Sequence, residues 1–345
     1  MSTSLGAEGV STMAASNIAF LGHRFQPVRM QDKSVLQDYL RRYPQRLSGY
    51  SFASLAAWAL PYGVIWARVG PECLLLSRTL SHSNGERHLL QPIGVPTATC
   101  CADLLAEART LAYRMKMVYV AKDYVEKNPD FCAHFTAEED RGSANYLYLA
   151  RDLADLPGSR YAKKRNLIAQ FLTLNPNWEA MPLDRTCGPS CRDVLSAIAH
   201  VDGVAADDPS LQAELQALDF TMAHFDDLEQ SGLMIWIDGR PVAFSIFERQ
   251  NLDTAVVHFE KALRNIKGLY QVINRETSRM IAAAGYHLIN REEDLNRPGL
   301  RQAKLSYFPL EIYPGFDLTL KDAAGVWKRL SELRVHGTHT DAQLP

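Results

Sequence analysis

The stretch LMIWIDGRPVAFSIFERQNLDTAVVHFEKA, residues 233–262, constrains the fold more than any other part of the chain. Two apolar runs flank Asp238-Gly239, a dipeptide that supplies the positive φ angles a two-residue hairpin turn requires. A third apolar run, Thr254–Ala262, follows the polar turn RQNLD, so the spacing predicts a three-stranded antiparallel meander. Next come GLYQVINRETSRMIAAAG with apolar residues at helical spacing, the strand-like YHLIN, and a short helix PGLRQAKLSY with proline at its first position. A long helix, PSLQAELQALDFTMAHFDDLEQSG, is expected before the meander and to end at Gly232, as helix C-termini prefer.

The first half repeats this order with weaker punctuation. Helical spacing runs from Gln31 to about Leu60, then strand-like GVIWARV, CLLLSRT and RHLLQPIG, an amphipathic helix CADLLAEARTLAYRM and a strand MVYVA. Antiparallel strands followed by a helix and another strand make an α+β unit, and its recurrence implies a tandem duplication. With 345 residues, 47% of them hydrophobic, the chain has material for two cores. The expected layout is a flexible lead over residues 1–25, an N-terminal unit over 26–160, a C-terminal unit carrying the site over 161–325, and a helix with a flexible tail over 326–345.

Charge narrows the partners. Basic and acidic residues nearly cancel, 37 against 39, so no global field gathers nucleic acid or anionic membrane, and DNA is not an expected partner. The six cysteines show no pairing framework, and Cys187 and Cys191 alone are too few ligands for zinc, so no metal is expected. The most apolar window, SFASLAAWALPYGVIWARV, is broken by Pro61 and Gly63 short of the roughly 20 residues a membrane helix needs, and the N-terminus lacks a secretory signal's basic start. A cytoplasmic protein without an integral membrane segment is the expectation. No P-loop, GxGxxG, HExxH or GxSxG motif occurs.

Three polar constellations stand out. In a regular strand Val256, His258 and Glu260 share one face, while Val257, Phe259 and Lys261 share the other. His258 and Glu260 there suit either a base with an orienting carboxylate or a solvated strand end. Lys267 and Gly268 precede the helix starting at Leu269, where free backbone N–H groups make either an anion site or a plain turn. Glu276 faces inward on that helix and needs a partner. In NREEDLNRPGLRQAKLSY, residues 290–307, Arg301 and Lys304 suit a phosphate or carboxylate clamp, and Glu292, Glu293 and Asp294 offer acid–base groups. The alternative is a charge-balanced loop. In RYAKKRN, Lys163, Lys164 and Arg165 form either a polyanion contact or a solvated helix face.

Taken together, YLYLARDLADLPGSRYAKKRNLIAQF, GRPVAFSIFERQNLDTAVVHFEKALRNIKGLYQVINRE and INREEDLNRPGLRQAKLSY resemble the soluble members of the phosphatidylglycerol lysyltransferase C-terminal domain family, over roughly residues 25 to 320. The resemblance implies two tandem GNAT-like acyltransferase domains akin to Fem-type aminoacyl-tRNA-dependent transferases. It implies donor-phosphate binding by Ile266, Lys267, Gly268, Leu269 and Tyr270; the expected site adds Gln271 and Arg301 on the donor side and takes its catalytic group from His258, Glu260, Glu292 and Lys304. Asn274, Glu276, Asn290, Arg291 and Tyr307 complete the expected polar pocket. The coenzyme A-binding version of the loop, of the type Q/R-x-x-G-x-G/A, is reduced here to Gly268. The implied activity is transfer of an aminoacyl group from charged tRNA to an amine or hydroxyl of a small-molecule or peptide acceptor. An acyl-CoA-dependent N-acyltransferase and a non-catalytic binding module on the same fold stay open. No permanently bound cofactor is expected, only aminoacyl-tRNA or acyl-CoA as co-substrate.

Overall fold

The computed structural model describes residues 17–80 and 85–322. The expected tail over 326–345 and the first 16 residues of the lead lie outside the described residues. In chain order, the first unit comprises β1 (Ile18–Phe20), β2 (His23–Pro27), α1 (Lys33–Arg42), α2 (Phe52–Ala57), α3 (Ala59–Tyr62), β3 (Ile65–Val69), β4 (Cys73–Thr79), β5 (Arg87–Leu90), β6 (Ile93–Gly94), α4 (Ala98–Ala108) and β7 (Lys116–Ala121). There follow α5 (Lys122–Lys127), α6 (Pro129–Cys132), β8 (Phe135–Leu149), α7 (Ala150–Asp155) and α8 (Ala162–Leu174). The second unit has β9 (Trp178–Pro182), α9 (Gly188–Val201), α10 (Pro209–Ala223), β10 (Ser231–Ile237), β11 (Arg240–Arg249), β12 (Thr254–Ala262), α11 (Leu269–Ala283), β13 (Leu288–Asn290), α12 (Pro298–Leu305) and β14 (Glu311–Leu320).

The strands join one sheet in the order β1-β2-β3-β4-β5-β7-β14-β8-β13-β12-β11-β10-β9, with β6 paired to β4. β5 and β7 are parallel and joined through α4, as β12 and β13 are through α11. These two crossovers are the duplicated GNAT-like feature, each embedded in a mixed, mainly antiparallel sheet flanked by helices. The last strands are exchanged: β14 lies between β7 and β8, while β8 pairs with β13. Three buried clusters support this sheet, one under the first unit and one on each face of the second, against α7, α8 and α11 and against α9 and α10.

The Asp238-Gly239 hairpin forms as expected, with φ of 50° and 74°. Two local expectations fail. Residues 18–27 form the β1–β2 hairpin instead of continuing a flexible lead to residue 25, because Phe20 and Phe25 pack edge to face in the first core. The helix before the meander stops at Ala223, and Gly232 lies inside β10. A side chain there would collide with the Ser245 carbonyl on β11, so this glycine permits close strand approach and ends no helix.

Candidate active site

The second crossover opens a split in the sheet. β12 pairs with β13 only from Thr254 to Val256, against Leu288 to Asn290. Beyond Asn290 the chain stays with β8, Arg291 N–H donating to the Tyr146 carbonyl at 2.9 Å and Tyr146 N–H to the Glu292 carbonyl at 3.2 Å. The edge of β12 from Val257 onward is therefore without a strand partner on that side, and side chains bridge the gap. In the first unit the equivalent opening is closed by neutral groups: Gln91 Oε1 accepts from Ala121 N–H at 2.8 Å, and the Tyr50 hydroxyl accepts from Gln91 N–H and donates to the Tyr119 carbonyl.

A β-bulge decides which side chains enter the second split. β12 slips register against β11 at His258, with Val257 opposite Phe247 and Phe259 opposite Ile246. Val257 thus faces the α11 core and Phe259 the α9–α10 core, which corrects the regular alternation expected from sequence. His258 and Glu260 consequently enter two separate polar groups.

Glu260 lies with α11. It accepts from Arg291 Nη2 at 2.6 Å and from Asn274 Nδ2 at 3.1 Å. The Arg291 guanidinium sits 5.1 Å from the Tyr307 ring centroid and 5.6 Å from that of Tyr148, with Nη1 buried and unpartnered. Below it Lys304, only 6% exposed, donates to the backbone carbonyls of Arg291 and of Glu293, the latter at 2.6 Å. Burial and then the Arg291 charge pull its pKa down to about 8. Lys164 reaches the same cluster from α8, donating to Ser306 Oγ at 2.7 Å with its ammonium 4.0 Å from the Tyr307 ring centroid. It too is drawn down to about 8, by burial and by Arg291. Two cations, Arg291 and Lys164, thus lie over Tyr307, with the Glu260 carboxylate bonded to Arg291, while the Lys304 ammonium sits 5.5 Å from the Tyr146 ring centroid.

His258 is clamped between two carboxylates, donating from Nε2 to Glu248 and from Nδ1 to Glu292, each at 2.8 Å. Burial, the largest influence, lowers its pKa, but the hydrogen bonds and charges of Glu248 and Glu292 together outweigh it and raise it to about 10. An imidazolium bonded at both nitrogens has no lone pair to offer, so the base role expected of His258 finds no support in this geometry.

The loop after β13 joins both units. Glu292, Leu295 and Asn296 all have φ between 52° and 56°, a cluster of left-handed non-glycine residues of the kind that marks functional sites. The Glu293 carboxylate accepts from the Tyr119 hydroxyl, from Ser48 Oγ at 3.1 Å and from Asn145 Nδ2 at 3.1 Å, all from the first unit or β8. Burial leads in raising its pKa. Asn290, fully buried, donates to Asn145 and Gln250. Asp294, also fully buried, accepts from Arg301 Nε at 2.8 Å and Nη2 at 2.9 Å and from the Tyr146 hydroxyl at 2.6 Å. Burial alone would raise its pKa, but Arg301 and Tyr146 bring it to about 2. Arg301 is therefore tied within the protein and is not the free phosphate clamp expected from sequence.

The turn before α11 is likewise closed. Gly268 has φ of 83°, and a Cβ there would collide with the Leu167 carbonyl on α8. The N–H groups of Leu269 and Gln271 bond the carbonyls of Ile266 and Gly268, Leu269 is fully buried, and Lys267 points to solvent. Gln271 lies beside the Tyr307 hydroxyl and Tyr270 beside the backbone of Ala262. The phosphate cradle expected at 267–271 is a helix-packing turn. Glu276 finds its partners on its own helix, Arg275 and Arg279. In the expected polyanion contact, Lys163 is exposed, Lys164 turns inward and Arg165 donates to the carbonyls of Leu156 and Gly158. Glu248, Ser48, Tyr119 and Asn145 had no local sequence signal, since they reach the site through tertiary pairing. A cavity of about 760 Å³ near Tyr39, Arg42 and Arg68 shares no residue with these clusters.

A family model described as "Phosphatidylglycerol lysyltransferase, C-terminal" matches residues 40–317. A conserved protein of unknown function from Bacteroides thetaiotaomicron is 28% identical with a TM-score of 0.76, the match covering 86% of this chain and 99% of that one. The C-terminal domain of a putative lysylphosphatidylglycerol synthetase from Agrobacterium fabrum aligns at 13% identity and TM-score 0.59, covering 88% and 96% of the two chains. The structure of L-PGS from Bacillus licheniformis aligns at 12% and 0.58, covering 90% and 98%. No curated protein sequence matches. Among the described residues no helix is long and apolar enough to cross a membrane.

Proposed function

Because the chain belongs to the phosphatidylglycerol lysyltransferase C-terminal family of transferases, we propose that it is an aminoacyltransferase, moving an aminoacyl group from the 3′ end of a charged tRNA to an amine or hydroxyl of a small-molecule or peptide acceptor. No permanently bound cofactor is part of this reading; the charged tRNA is a co-substrate. The observation that carries it is Lys304, a buried ammonium fixed by two backbone carbonyls at the split between β12 and β13, beside the Glu260–Arg291 pair.

Aminoacyl transfer moves one proton at each end. The acceptor heteroatom loses a proton as it bonds to the ester carbonyl carbon, and the ribose oxygen gains one as the C–O bond breaks. The carbonyl oxygen carries negative charge between these events and needs a preorganised donor. Lys304 uses two of its three N–H bonds on carbonyls, leaving the third for that oxygen. With its pKa near 8 it is also a competent proton donor to the departing ribose oxygen. Glu293, its pKa raised, takes the acceptor's proton. Lys164 and Arg291, the cations around Tyr307, face the donor's phosphates. The closed turn at Gly268 favours charged tRNA over acyl-CoA, whose pyrophosphate needs open N–H groups at a helix start.

The test is incubation with tRNA charged with labelled amino acids in the presence of an amine pool, alongside calorimetry with acetyl-CoA and a longer acyl-CoA. Protein-dependent movement of label to amine, with no heat from either acyl-CoA, is the expected result. Charged tRNA that neither binds nor loses its label would overturn the reading.

A further inference from the structure

Arg78 on β4 is a charged side chain that the site above does not use. It is half-buried, its Nε is buried without a hydrogen-bond partner, and among the described residues it joins no salt bridge. Its guanidinium carbon lies 4.7 Å from the Tyr62 ring centroid, and Tyr62 stacks on Trp58 with centroids 5.2 Å apart and planes at 16°. The cross-strand neighbour, His88, does not balance the charge: burial, Lys116 and Arg78 push its pKa down to about 4, so it is neutral. The carboxylates near enough to be felt are bonded elsewhere, Glu293 to Tyr119, Ser48 and Asn145, and Asp317 to Lys116 at 3.9 Å.

A guanidinium withdrawn from water without an anion is unfavourable, and its planar fork matches carboxylate and phosphate oxygens. We infer that Arg78, backed by the Tyr62 ring, anchors an anionic group, a carboxylate or a phosphate monoester, of the acceptor. That the bound molecule is the acceptor rests on the aminoacyltransferase reading; that Arg78 binds an anion does not. The placement suits the chemistry. Glu293, the proton acceptor of that reading, feels the charges of both Arg78 and Lys304, so an anion anchored at Arg78 is held in the neighbourhood of Glu293.

The experiment is calorimetric titration of the whole chain with inorganic phosphate, glycerol 3-phosphate and glycylglycine, using wild type, R78Q and R78K. At least one probe is expected to bind wild type, with affinity falling about tenfold or more in R78Q and partly kept in R78K, which retains charge without the fork. Preference for glycylglycine identifies a peptide or amino-acid carboxylate, and preference for glycerol 3-phosphate a phosphate-bearing acceptor. R78Q should melt no lower than wild type, because it removes an unpaired charge. Three results would overturn the inference: no probe binds at millimolar concentration, R78Q binds as well as wild type, or R78Q melts markedly lower, which would show a partner within the fold. None of these titrations contains tRNA. Anion binding lost in R78Q without any transfer would sink only the aminoacyl reading, and transfer with anion binding indifferent to R78Q only this one.

Discussion

Replacing His258 with glutamine removes an imidazolium that donates to Glu248 and Glu292 at 2.8 Å each. Its pKa in the folded protein is about 10, against about 6.5 in an unfolded chain. A group whose folded pKa is raised stabilises fully below its unfolded pKa and loses that contribution as pH rises toward the folded value. Each pH unit in the window removes about 1.4 kcal/mol, so from pH 6.5 to 8 the contribution falls by about 2 kcal/mol. With the side chain only 9% exposed, solvent screening takes little from this figure. Lys164 and Lys304, both drawn down to about 8, act with the opposite sign above that pH, but they are common to both proteins and largely cancel in the difference. Urea unfolding of wild type and H258Q at half-unit steps should show their stability gap narrowing by about 2 kcal/mol between pH 6.5 and 8. A gap that stays constant would refute the clamped imidazolium.

Other consequences follow from the same geometry. E260Q leaves the buried Arg291 guanidinium without its carboxylate and should cost about 3–5 kcal/mol, whereas E260Q combined with R291M should cost clearly less than the two single changes summed, because the pair is removed together; denaturant unfolding of the four proteins measures this. G268A forces a side chain at φ 83° into the Leu167 carbonyl and should lower stability by about 2 kcal/mol or more, read by thermal melting. A melting point unchanged in G268A would mean that the turn is open, as a phosphate-binding loop would be.

The meander, the crossover helix and its following strand were legible because Asp238-Gly239 fixes the hairpin and apolar residues keep strict periods around it. β8 was only half legible: its first part, FTAEED, carries exposed acids and has no alternation, and its pairing with β14 joins residues 164 to 185 positions apart, from Glu311 with Leu147 to Leu320 with Phe135. β14 contains Pro314 next to its register shift, which hides it from a strand pattern. The exchange of last strands leaves no local trace at all. The segments singled out in the sequence, 258–276 and 290–307, lie together, and Glu260, Arg291, Lys304 and Tyr307 converge. Their roles were less visible: the bulge at His258 reversed the face of everything after it, and tertiary partners such as Glu248 and Asp294 decided which charges were already paired.

Single-turnover transfer from tRNA carrying a labelled amino acid, comparing wild type with K304M, reads the part Lys304 plays in the chemical step. Loss of a preorganised donor to a developing oxyanion lowers the chemical step by about 10²–10³-fold. A drop of that size is expected in K304M, with binding of charged tRNA changing much less. Transfer by K304M at the wild-type rate would contradict that role.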